Sequence, residues 1–221
     1  MNGVIGTGRS ADVFEHGDGE VLRRYRQPRN TEREVAAMEH ARAHGYPVPA
    51  ARALNETDIV MERLEGATML DDLGRRPWRI DRHAETLAAL HRRLHEIAAP
   101  EWLPAPVGEG ESLLHLDLHP DNVLLTARGP FVIDWPNAAR GPGGADVAHT
   151  WIVIACSTPI TGVYRRAISA AGRGLLLRFF LKRFDRAELE RHLETAAAYR
   201  LANRGLPESE RAAIRRMSTR S

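Results

Sequence analysis

The spacing of apolar residues changes period part-way along the chain, which points to strands and helices segregated along the sequence. The opening residues read as short strands joined by tight turns: Val4-Ile5, then Asp12 to His16, then Glu20 to Arg26, with Gly17-Asp18-Gly19 between the last two. Asp-Gly between two β-capable runs is a hairpin signal, because these residues tolerate the positive φ of the tightest turns. From Asn30 the pattern turns helical, with Val35, Met38 and Ala41 on one face until Gly45-Tyr46-Pro47 stops it. Thr31 followed by Glu34 has the form of a capping box. Asp58 to Met61 is one more short strand, and a boundary between lobes falls at residues 64 and 65. Beyond it Ile80, Ala84, Leu87, His91, Leu94 and Ala98 mark one face of a helix that runs to Pro100. A loop rich in Pro and Gly extends to Glu111, and two short apolar strands follow, Asn122–Thr126 and Phe131–Asp134. The rest reads as helices, one of them Asp185–Asn203 with Asp185 as N-cap. The expected fold is therefore α+β with two lobes. Residues 1–64 supply a small antiparallel β-sheet plus one helix, and residues 65–221 a mostly helical lobe.

Composition narrows the class further. With 43% hydrophobic and 27% charged residues the chain resembles ordinary globular proteins, which excludes wholesale disorder. Its longest unbroken apolar run, Trp151 to Cys156, is far short of the ~18 residues a membrane span needs. Met1-Asn2-Gly3-Val4 shows no basic segment leading into an apolar core, and Cys156 is the one cysteine, so the expected setting is the cytoplasm, without a membrane. Charge is uneven. Val147 to Ser221 carries 14 basic and 6 acidic residues, a net +8 against −6 for the remainder. Solvated basic helix faces explain that excess, and a nucleic-acid partner is not expected. Lys182 is the only lysine. Any chemistry that ordinarily uses lysine elsewhere must here use another residue.

The informative segment is His115-Leu116-Asp117-Leu118-His119-Pro120-Asp121-Asn122, followed by Val132-Ile133-Asp134-Trp135. A hairpin between the two short strands would bring Asp134 back beside Asn122. A carboxylate and an amide carbonyl suit Mg²⁺, a hard cation that takes oxygen ligands and keeps some of its water. Asp117 would remain to orient a hydroxyl and accept its proton. H-x-D-x-x-x-x-N, then an apolar strand ending in Asp, resembles the catalytic and metal-binding loops of the protein-kinase-like fold. The variant His-x-Asp-Leu-His-Pro-x-Asn with Ile-Asp-Trp is similar to the aminoglycoside phosphotransferase / choline kinase family. That resemblance implies a kinase that transfers the γ-phosphate of ATP or GTP, with Mg²⁺, to the hydroxyl of a small molecule. It makes Asp117 the catalytic base, Asn122 and Asp134 the metal ligands, and Asp146 the family's later structural aspartate.

The start of the chain agrees. Gly6-x-Gly8-x-x-Ala11-x-Val13 resembles the kinase glycine-rich loop, in which the backbone of Gly6, Gly8 and Ser10 would approach the phosphates. Arg23 stands where the family has its phosphate-pairing lysine, and Glu34 matches the helix glutamate that pairs with it, although a capping-box role explains Glu34 equally well. Met61-Glu62-Arg63-Leu64 resembles the hinge, where Glu62 and Leu64 would hold the nucleotide base. Leu116 replaces the family's usual Gly. Three alternatives stay open: a nucleotide-binding pseudokinase acting as an interaction module, favoured by Arg23, a basic nucleic-acid binder that would use the tail arginines, and a metallohydrolase reading of His115-x-Asp117-x-His119. His91 and His95, four apart, are read as ordinary helix-surface residues in the absence of a third ligand.

Overall fold

A computed structural model describes residues 3–8, 10–17, 19–156 and 170–218. Arg9 of the glycine-rich turn, Asp18 of the hairpin turn and Arg165, Arg166 and Arg220 of the basic half lie outside the described residues. The first part of the chain forms β1 (Val4–Thr7), β2 (Ala11–Glu15), β3 (Glu20–Tyr25), α1 (Thr31–Ala43), β4 (Ala51–Ala53) and β5 (Asp58–Glu62). The strands make one five-stranded sheet in the order β1-β2-β3-β5-β4, each neighbouring pair antiparallel. Helix α1 starts as the sequence suggested but with a different cap. The Asn30 side chain accepts from the Arg33 N–H at 2.8 Å, while the Thr31 hydroxyl donates to the Asn55 carbonyl at 2.6 Å. Glu34 is thereby released from capping and points into the interior, 3% exposed. The helix stops at Gly45, whose φ of +75° is the left-handed conformation that closes helix ends.

The remaining elements are β6 (Gly66–Thr68), α2 (Met69–Arg75), α3 (Ile80–His95), β7 (Ser112–Leu114), β8 (Val123–Thr126), β9 (Gly129–Val132), β10 (Ala139–Gly141), α4 (Gly143–Cys156), α5 (Ala170–Leu181), α6 (Arg186–Ala202) and α7 (Glu208–Ser218). Strand β6 leaves the first sheet and pairs with β8 of the β8–β9 hairpin, and β10 pairs with β7. Helix α3 ends at His95, short of Pro100, because Ala98 and Ala99 turn aside to pair with Ser112 and Glu111. Strand β9 likewise ends before Asp134, whose positive φ breaks the extended run. Helix α4, the site of the Trp151–Cys156 run, is buried along nearly all its length and packs against α5, α6 and α7. A single apolar cluster runs from Ala11 and Met38 through Leu87 and Trp135 to Ile214, so both parts of the chain share one core. Among the described residues no helix is long and apolar enough to cross a membrane.

Candidate active site

The loop after β7 is shaped by one buried carboxylate. Asp146, fully buried near the start of α4, accepts from the Leu116 N–H at 2.7 Å on one oxygen. Its other oxygen accepts from the His115 N–H at 3.3 Å and lies 3.0 Å from His95 Nε2 and 3.4 Å from His91 Nδ1. Burial alone would raise the Asp146 carboxyl, but the hydrogen bonds and charges of His91 and His95 outweigh it and hold Asp146 well below the usual carboxylate range. The same grip holds Leu116 at φ +53°, a conformation a branched side chain resists. This is a physical reason for glycine at the corresponding family position, and for the tolerance of leucine here. His91 and His95 are not the surface pair the sequence suggested: His91 is fully buried, and both rings turn inward because Asp146 lies beside them. Its oxygens already serve two backbone N–H groups, so the cluster acts as a brace for the loop. Thr150 extends it, donating to the Leu118 carbonyl at 2.7 Å and lying 3.1 Å from His91 Nε2.

That brace aims the residues that follow. Asn122, in a short 3-10 turn opened by Pro120, donates its amide N–H to the Asp117 carbonyl at 2.9 Å. Its nitrogen is thus committed, and the carbonyl oxygen is the atom it can offer a cation. The Ile133 N–H donates to the Asn122 backbone carbonyl at 3.0 Å, which carries the hairpin ladder one step past Val123↔Val132 and sets Asp134 next in line. Asp134 lies at φ +69°, and Trp135 behind it is wholly buried, edge-on to His115 at 4.8 Å. An amide oxygen and a carboxylate near one hairpin end are the kinds of oxygen donor that a hard cation such as Mg²⁺ takes. His115 does not join Asp117 and His119 as a ligand. It is fully buried, with Nε2 against the Ile133 carbonyl at 3.1 Å and burial pushing its pKa down, which overturns the metallohydrolase reading.

Arg23 joins the sheet to this hairpin. Its guanidinium pairs with the Asp134 carboxylate and donates to Glu34 at 3.4 Å, and it lies 4.7 Å above the Tyr25 ring. Tyr25 in turn donates its hydroxyl to Glu34 at 2.7 Å. The question left open for Glu34 is answered: it is the ion-pair partner. Burial pushes Glu34 up while Arg23 pulls it down. Burial also works against the Arg23 charge, but Asp134, Tyr25 and Glu34 outweigh it and leave the guanidinium above its ordinary pKa. Asp134, about a third exposed, is held below its usual range; burial would raise it, and Arg23 more than offsets that.

The other expected residues are placed by strand register. Arg23 faces Val13, and Val13 faces Gly6, so Gly6 lies two strands from Arg23, about 10 Å at ordinary strand spacing. Gly8 and Ser10 occupy the exposed β1–β2 turn, closed by Gly8 N–H to the Ala11 carbonyl at 2.8 Å. Glu62 ends β5, with its N–H given to the Ala50 carbonyl at 2.8 Å and its side chain paired with Arg128 of the β8–β9 hairpin. Leu64 follows, half-buried, just before β6. The sequence reading missed Tyr25 and Arg200. Arg200, on α6, donates to Asp117 at 3.2 Å. Its signal was an arginine continuing the buried series Leu189, Leu193, Ala196.

A family model described as the phosphotransferase enzyme family (APH) matches residues 4–112 and 93–177. The chain belongs to that family. No curated protein sequence matches it. Among solved structures it is similar to a thermostable mutant of aminoglycoside phosphotransferase APH(4)-Ia in ternary complex with ADP and hygromycin B. That likeness has 14% identity and a TM-score of 0.70, over 98% of this chain and 91% of that one. It is also similar to a choline/ethanolamine kinase family protein from Mesorhizobium loti, with 18% identity and a TM-score of 0.57, over 99% and 85%. The streptomycin–ATP–APH(2″)-IIa ternary complex matches at 11% identity and a TM-score of 0.57, over 90% and 85%. At such identities the likeness establishes the fold, which is the two-part, kinase-like α+β architecture expected from the sequence.

Proposed function

We propose that this member of the phosphotransferase family is a small-molecule kinase that moves the γ-phosphate of ATP or GTP onto a substrate hydroxyl. In this reading residues 1–64 form the nucleotide lobe and residues 65–221 the lobe that carries the catalytic loop and the acceptor. The backbone of Gly6, Gly8 and Ser10 covers the phosphates, Glu62 contributes its carbonyl and Leu64 its N–H to the base, and Arg23, aligned by Glu34, binds phosphate oxygens. Arginine serves there because its fork binds phosphate bidentately and stays charged. Asn122 and Asp134 would hold Mg²⁺, which when bound neutralises charge on the transferring phosphoryl group. Asp117 orients the acceptor hydroxyl and takes its proton as the new O–P bond forms and the bond to the β-phosphate breaks, releasing the nucleoside diphosphate.

The observation that carries this reading is the reach of Arg23 from β3 to both Glu34 and Asp134. It links the cation assigned to the phosphates with the carboxylate assigned to the metal, and a turn-capping account of either acid leaves that link unexplained. The relatives named above are described with ADP, ATP, hygromycin B and streptomycin, which supports a nucleotide and a hydroxylated small molecule as partners. A thermal-shift screen of ATP and GTP with and without Mg²⁺, followed by a panel of hydroxylated metabolites, tests it. Stabilisation by nucleotide that Mg²⁺ strengthens is the expected result; no shift with either nucleotide would refute it.

A further inference from the structure

Arg200 belongs to none of the motifs and lies beyond the last residue that the family model matches, residue 177. It nevertheless reaches the centre of the site. From the last turn of α6 its Nη1 donates to Asp117 Oδ1 at 3.2 Å, across 83 positions of sequence. The other side of the same guanidinium is clamped: Nε and Nη2 both donate to Glu210 Oε1, at 3.2 and 2.9 Å. Glu210, on α7, is 1% exposed, and Arg200 itself is 8% exposed. A fork gripped at both ends has little rotamer freedom left, so the position of Asp117 is tied to the packing of α6 and α7 against α4. His149 of α4 lies within the field of this cation, and burial together with Arg200 pushes its pKa down to about 3. His149 is therefore neutral and adds no second cation beside Arg200.

We infer that Arg200 is a positioning residue for phosphoryl transfer: clamped by Glu210, it fixes the Asp117 carboxylate in the orientation that meets the acceptor hydroxyl. The inference rests on the kinase reading above and adds to it a role for the helical tail. In the transfer itself the acceptor proton passes to Asp117, and Arg200 neither gains nor loses one. Its contribution is geometric, and a displacement of ~1 Å at such a group costs roughly 100-fold in rate.

The probe reaction is γ-phosphate release from ATP or GTP with Mg²⁺, water serving as acceptor, measured beside nucleotide affinity by calorimetric titration. Arg200→Met is expected to lower turnover roughly 100-fold while the nucleotide dissociation constant stays at the native value. Arg200→Lys, which keeps the charge but cannot span both carboxylates, is expected to fall between the two. Arg200→Met leaves Glu210 buried without its partner and can fail to fold. The double variant Arg200→Met/Glu210→Leu removes both charges and should show the same selective loss. Native turnover in a folded double variant would overturn the inference. So would a parallel loss of nucleotide affinity and turnover, which marks a merely structural role. A native protein that binds no nucleotide and releases no phosphate would instead overturn the kinase reading, and the inference with it.

Discussion

Replacing Asp146 by asparagine is the sharpest test of how the catalytic loop is held. The amide keeps one carbonyl oxygen, which can still accept from the Leu116 N–H now 2.7 Å from Oδ1. Its NH₂ then faces the His115 N–H and the His95 ring, where the native oxygen accepts at 3.3 and 3.0 Å. One charge-assisted bond is lost, at about 1.5–3 kcal/mol, and a buried backbone N–H is stranded, at about 1–3 kcal/mol. The total is about 2.5–6 kcal/mol, or a fall of roughly 5–24 °C in melting temperature for a chain of this size. The pH dependence follows from the sign of the shift. The folded-state pKa of Asp146 is depressed, so its stabilisation is fully present above the unfolded carboxylate value of about 3.9. It is lost only as pH falls from there through the lower folded value. The gap between native and variant melting curves should therefore still be present at about pH 5 and narrow as pH falls below about 4. A fall of less than about 1 kcal/mol at pH 7 would refute the argument that Asp146 carries the loop.

Other consequences are open to direct measurement. Arg23→Ala removes the cation assigned to the phosphates and should weaken Mg²⁺-nucleotide binding about 10- to 100-fold in a calorimetric titration; unchanged affinity would remove Arg23 from the nucleotide site. A Cβ on Gly66 would lie 2.3 Å from the Leu125 carbonyl oxygen, backbone against backbone across the β6–β8 pair. Gly66→Ala should accordingly cost about 1–3 kcal/mol in a melt, against no change if β6 can move aside. His149, with its pKa pushed down to about 3, should show ring NMR shifts that do not move between about pH 5 and 8; a titration midpoint near 6.5 would contradict its burial.

What could be read in the sequence was whatever short-range chemistry demands. The hairpin that carries the chain from Asn122 back to Ile133 and Asp134 was legible because two short apolar strands and a tight turn impose it locally. The Asp185 cap was legible because its carboxylate serves the N–H groups of Ala187 and Glu188, two and three residues on. Glu34 was ambiguous because a capping box and an ion-pair partner make the same local pattern. Only the contact between Arg23 and Asp134, 111 residues apart, separates them. The short strands β4, β6 and β10 carry too few residues for a period to register, and each exists because a neighbouring strand accepts it. Helix α3 keeps its apolar face past His95, yet pairing with Ser112 ends it, a tertiary preference overriding a local one. Arg200 was hidden for the same reason as the role of Glu34: its partners Asp117 and Glu210 belong to different elements.

The most direct trial of the account is the rate of γ-phosphate release from ATP and GTP by native protein, Asp117→Asn and Asp134→Asn, with and without Mg²⁺. Native turnover should require Mg²⁺. Asp117→Asn should bind Mg²⁺-nucleotide normally yet lose about 10²–10⁴ in rate, and Asp134→Asn should lose the effect of Mg²⁺ on nucleotide binding. An Asp117→Asn protein that turns over at the native rate would contradict the assignment of Asp117 to the acceptor proton.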